Sequence, residues 1–239
     1  MESNEVQEAR PATQEMSAIE KIIGVFTSPG KTFQSIDQKP SWVLPVAVAV
    51  LVSVIFVFTT QSIIVNEAIT KQQEKMEERG MDADQIDQSL AMMEKGMKFS
   101  VPAFSVLGPV LVILIVAGIF FFVGNVVLGG MAPYKKVLAV TAFSWLIFSL
   151  GSLIALPIVL SRESIEVSFS LATLMSEEAQ QTFLYKFLSK LDVFSIWWVA
   201  VQSIGLAVIY KMKTQKMATA VVAVFLIYAV VGSALASMF

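Results

Sequence analysis

"LDVFSIWWVAVQSIGLAVIYKMK", residues Leu191 to Lys213, contains an 18-residue run, Val193–Tyr210, with no Asp, Glu, Lys or Arg between Asp192 and Lys211. As a helix rising about 1.5 Å per residue, the run reaches roughly 27 Å. That is a short but sufficient crossing of a hydrocarbon layer of about 30 Å. It is the shortest of five charge-free segments, the others being Pro40–Asn66, Phe99–Tyr134, Val137–Ser161 and Met217–Phe239. Composition agrees with a membrane reading. The 239 residues are 56% hydrophobic and 15% charged, with a mean hydropathy of +0.71, too apolar for an ordinary soluble domain. The sequence predicts an all-α polytopic membrane helix bundle. Five transmembrane helices, about 42–65, 106–128, 137–160, 193–210 and 217–238, are joined by short amphipathic surface helices.

The missing residue types narrow the chemistry. There is no histidine and no cysteine, which removes the commonest general base, the commonest metal ligand and all thiolate chemistry. A net charge of -2 offers no basic footprint for nucleic acid. Ionisable residues inside a membrane mark proton relays and ion paths, and the predicted spans contain none. Catalytic, cofactor-binding and metal-binding residues are therefore expected to be absent, and the chain is read as a non-enzyme.

One motif tests this reading. "FTSPGKTFQS" (Phe26–Ser35) ends its Gly30-Lys31-Thr32 like a phosphate-binding loop. The pattern needs a glycine where Val25 stands, and Pro29 removes a backbone N–H from a loop that works by donating them. No nucleotide site is expected. Instead Ser17-Ala18-Ile19-Glu20 has capping-box spacing, and Ile19, Ile22, Ile23 and Phe26 share a helical face. Pro29 and Gly30 stop that helix, and Phe33 and Ile36 mark another turn before Pro40. Residues 16–40 thus form a cytoplasmic amphipathic element leading into the first span, read as lying on the inner leaflet. Residues 1–15 form a polar, disordered tail, and residues 41–239 the membrane domain.

Orientation follows from short loops. Lys135 and Lys136, and the three lysines of Lys211–Lys216, fit cytoplasmic turns. The longer, net acidic connections Glu67–Lys98 and Arg162–Asp192 then lie outside, with the N-terminus cytoplasmic and the C-terminus outside. The first outer connection reads as two helices joined at Arg79-Gly80-Met81, Gly80 left-handed and Asp82 or Asp84 starting the second. Asp82–Asp87 lacks the glycine and ligands of a calcium loop. In the other connection Ser176 starts a helix with Leu184, Phe187, Leu188 and Leu191 on one face. Pro102, Gly108 and Pro109 suggest an irregular start to the second span, and Pro157 a kink or end to the third. Gln61, Asn125 and Gln202 are polar candidates for a solute path, although interhelical hydrogen bonding is their commoner use.

Three stretches carry a resemblance. "IIGVFTSPGKTFQSIDQKPSWVLPV" (Ile22–Val46) is a short helix, a Ser-Pro stop, an aromatic and a proline-led span. "GGMAPYKKVLAVTAFSW" (Gly129–Trp145) is a glycine pair and a Tyr-Lys turn opening a span. Leu191–Lys213 joins an acid-aromatic start to a Trp pair and Ile-Gly-Leu. In this order, with five spans, the chain resembles the YIP family, the Ypt/Rab-interacting membrane proteins, in its prokaryotic branch. The resemblance implies that Ser28, Pro29 and Phe33 belong to the family's N-terminal element, that Tyr134 belongs to the Tyr-Lys turn, and that Asp192, Phe194, Trp197 and Gly205 form a fourth-span signature. These eight residues are the candidate signature or partner-contact positions. The eukaryotic branch engages prenylated small GTPases, but its Asp-Leu-Tyr-Gly-Pro motif is missing here, so GTPase binding is not carried over.

The function expected is that of a scaffold or organiser in a prokaryotic cytoplasmic (inner) membrane, binding membrane lipids and a membrane or cytoplasmic protein partner, with self-association open. The alternative is a permease or channel-like subunit for a neutral or lipid-like solute. A polar groove lined by Gln61, Asn125 and Gln202 would favour transport, and a solid apolar core would oppose it.

Overall fold

The computed structural model describes residues 16–238. The predicted tail, Met1–Glu15, and Phe239 lie outside the described residues. Eight α-helices follow one another: α1 Ala18–Thr27, α2 Pro29–Gln38, α3 Val43–Glu78, α4 Ala83–Phe122, α5 Tyr134–Arg162, α6 Phe183–Leu188, α7 Val193–Tyr210 and α8 Thr214–Met238. Among the described residues no strand forms; one isolated bridge pairs Ser170 with Asp192. Helices α3, α4, α5, α7 and α8 are each long and apolar enough to cross a membrane.

Helix α5 is the centre. Every residue from Val137 to Ser144 is buried, so the helix is covered all round, as a core helix must be. Helices α3, α4 and α7 pack against it, and α8 packs on the far side of α7. Burial is graded to match. In the most apolar stretch of α7, 56% is buried, against 17% in α4 and in α8. The two outer helices therefore turn most of their apolar surface to lipid. One hydrophobic cluster joins α5, α7, α4, the start of α3 and the two N-terminal helices.

The N-terminal element departs from the expected surface helix. α1 closes its capping box, Ser17 Oγ accepting from the Glu20 N–H and Glu20 accepting from the Ser17 N–H at 2.6 Å. Pro29 then does two things. It ends α1 near Thr27 and occupies the first position of α2, where its missing N–H costs nothing. The two helices fold back as a hairpin with Gly24 against Thr32. α2 runs down α5 and α7 rather than along a surface. Asp37 pairs with Lys136 near the start of α5, Phe33 meets Gly205, and Phe26 meets Trp197 edge-on with ring centroids 5.8 Å apart. Trp197 precedes Tyr210 by 13 residues, roughly 20 Å along α7. The hairpin is thus packed into the bundle, with Val25, Phe33 and Ile36 all but inaccessible.

Three other elements differ from their sequence reading. α4 runs unbroken through Pro102, Gly108 and Pro109. Pro102 leaves the Lys98 carbonyl without its helical donor, and the Gln61 amide of α3 supplies one at 3.2 Å. Pro157 does not end α5, which continues to Arg162. In the last long connection the helix begins at Phe183, not Ser176. Thr182 caps it by accepting from the Tyr185 N–H, and Glu177–Gln181 form a 3-10 turn. The Arg79–Asp82 corner matches expectation: Gly80 is left-handed at φ 69° and Asp82 caps α4. The helices it joins are the spans themselves, extended beyond the membrane.

Candidate functional site

The eight signature positions hold the bundle together at several places. Ser28 and Pro29 form the hairpin tip, the Ser28 carbonyl accepting from both the N–H and the hydroxyl of Thr32. Phe33 is fully buried. It fits because Gly205 has no side chain: a Cβ there would stand 3.0 Å from the Phe33 ring and 2.5 Å from Val140 Cγ1. Trp197 receives Phe26. At the other end of α7, Asp192 is the N-cap, Oδ1 accepting from the N–H groups of Phe194 (2.8 Å) and Ser195 (3.0 Å), while Oδ2 accepts the Ser195 hydroxyl. Phe194 lies edge-on to Phe169 and against Gly151. Tyr134 donates its hydroxyl to the Leu114 carbonyl at 3.0 Å and packs edge-on to Phe121. The structure thus joins Phe33 to Gly205 directly. Asp192 and Phe194 belong to the opposite end of α7, apart from the hairpin.

The polar candidates for a solute path are dispersed. Gln61 serves the Lys98 carbonyl on the α3–α4 seam. Asn125 exchanges two hydrogen bonds with the Ala132 backbone, 3.0 and 3.1 Å, closing the turn after α4. Gln202 donates to Thr141 Oγ1 at 3.1 Å between α7 and α5. Gln202 Oε1, Ser144 Oγ and Trp198 Nε1 are buried there without partners. Among the described residues, the cavities beside Phe143, Phe194 and Lys211 are not lined by Gln61, Asn125 or Gln202.

The hairpin carries Lys21, which sequence reasoning did not single out, and Lys31, considered there only as part of the rejected phosphate-loop motif. Lys31 is exposed on α2 together with Gln34 and Gln38, and the two glutamines line a cavity with Ala207, Val208 and Lys211 at the end of α7. Lys21 on α1 is only 9% exposed and lines a cavity of about 450 Å³ at the hairpin base. Near it, hydrogen bonding from the Ser17 N–H, then from its hydroxyl, holds the Glu20 carboxyl below its ordinary value. Both lysines lie outside the charge-free segments, so a search for ionisable residues within spans passes them by. The only sequence signal was their position on either side of a Ser-Pro break in an amphipathic stretch.

Comparison with known proteins agrees with the fold. Residues 23–236 match the Yip1 domain. A membrane protein of Bacillus subtilis (strain 168), YknW, is 28% identical over 207 residues, covering 86% of this chain and 84% of that protein. No solved structure matches.

Proposed function

The chain belongs to the Yip1 domain family, and from that membership we propose that it is a non-enzymatic membrane organiser whose α1–α2 hairpin receives a protein partner. The supporting observation is the polar stripe of Lys31, Gln34 and Gln38. It lies on a hairpin packed against α5 and α7, and Gln34 and Gln38 line a cavity with Ala207, Val208 and Lys211. A partner segment with complementary polar groups would pair with this stripe and fill that cavity. The dispersed roles of Gln61, Asn125 and Gln202 support this reading over a permease, because each amide already serves a separate joint. The hairpin base and the Lys211–Lys216 loop face the cytoplasm in this proposal, in a prokaryotic inner membrane, as the short-loop lysines require.

The test is recovery of partners from native membranes in lipid nanodiscs. Removing residues 16–38 would also remove Phe33 and Ile36 from the core, so the better variant is Lys31→Leu with Gln34→Leu, which leaves the buried face intact. A stoichiometric protein partner retained by the parent chain and lost by the variant, at equal thermal stability, is the expected result. Recovery of the chain alone, or with a single solute, would overturn the organiser reading.

A further inference from the structure

The cavity at the hairpin base is bounded by Ser17 and Lys21 of the first helix, by Lys39 and Ser41 of the linker, and by Leu44 and Phe143 beneath them. Lys21 is the anomaly. The residue is only 9% exposed and lines the cavity, and among the described residues no hydrogen bond or ion pair engages its ammonium, which leaves the charge free to take an anion from the cavity. Glu20, one residue away, is turned to the Ser17 N–H and is committed to the capping box; Asp37 is committed to Lys136. Among the described residues lining the cavity none is acidic.

We propose that this cavity binds a phosphate group, that of an anionic phospholipid headgroup, with Lys21 as its principal counter-ion. A polar rim of Lys21 with the hydroxyls of Ser17 and Ser41, over an apolar floor of Leu44 and Phe143, is amphipathic in the sense a headgroup requires. The cavity sits where the chain enters its first span, beside the half-buried Trp42, at the level of lipid headgroups. Ile19 and Ile23, 69% and 57% exposed on α1, provide an apolar strip for an acyl chain leaving the site. The inference deepens the organiser reading by naming a lipid ligand for the same hairpin, and it rests on that reading only for its biological purpose.

The experiment is native mass spectrometry of the full chain released from micelles containing phosphatidylglycerol or phosphatidylcholine, with inorganic phosphate as competitor. One phosphatidylglycerol per chain is expected to persist. Lys21→Met should weaken retention by about tenfold, the scale of one lost charge-assisted hydrogen bond. Ser41→Asp, which puts a carboxylate on the rim without touching the buried lysine, should weaken it too and decides the matter if Lys21→Met does not fold. Equal retention by the parent chain and both folded variants would overturn the site. Displacement of the lipid by inorganic phosphate would overturn the lipid assignment and give the site to a water-soluble phosphate. Partner recovery through Lys31 is measured separately, so either idea can fail alone.

Discussion

At the scale of single residues, the candidate signature positions are structural joints. Asp192 shows how a charged residue at a membrane helix end is used. Its carboxylate satisfies two of the N–H groups that the first turn of α7 leaves without helical partners. Asp192→Ala is expected to lower stability by about 1 kcal/mol, and Asp192→Asn by much less, because an amide oxygen accepts the same bonds. Thermal unfolding in one detergent, with equal losses for both variants, would contradict the capping role. Gly205 and Gly124 act by absence. A Cβ on Gly124 would fall within the ring of Tyr210, so the close approach of α4 to α7 depends on a hydrogen in that place.

At the scale of elements, the α1–α2 hairpin combines two faces with different tasks. Phe33 and Ile36 fasten α2 to α5 and α7, while Lys31, Gln34 and Gln38 look outward. The capping box, the Ser-Pro break and the amphipathic spacing were legible in the sequence because each depends on residues within one or two turns. The packing of the hairpin against α7 was not. It depends on Gly205, some 170 residues away in the chain, leaving room for Phe33. Phe33→Ala should cost about 3 kcal/mol, as truncations of buried aromatic side chains do, and should release the hairpin before the bundle. Limited proteolysis is the check: faster cleavage between Ser28 and Lys39, with the five long helices still protected, is expected. Unchanged cleavage would mean that α2 is held by something other than its buried face.

At the scale of the whole molecule, five crossings place the Lys211–Lys213 turn and the hairpin base at one end, with the Arg79–Asp82 corner at the other. The chain has no cysteine, so single cysteines report on sides without background. In intact cells, Met81→Cys is expected to react with a membrane-impermeant maleimide, and Lys213→Cys only after the membrane is opened. The reverse pattern would invert the proposed orientation and leave the fold untouched. The Lys71–Glu166 ion pair at 2.6 Å, between the extended α3 and the last long connection, is exposed and adds little to stability.

The sequence by itself determined the number of crossings, the all-helical class and the family. These follow from sums over contiguous residues: a charge-free run of sufficient length has to be a helix in lipid, since its backbone groups find no other partners there. It also determined the cap at Ser17 and the Gly80 corner, which are local hydrogen-bond problems with local solutions. Only the tertiary structure decided that Pro102 is tolerated, because its cost is met by Gln61 from another helix. Likewise only the packing of Phe33 on Gly205 decided that an amphipathic stretch becomes a hairpin packed on α5 and α7, carrying Lys21 to a cavity. Amphipathic spacing states which face of a helix prefers apolar surroundings. Whether those surroundings are lipid or the rest of the protein is set by shape complementarity between residues far apart in the chain.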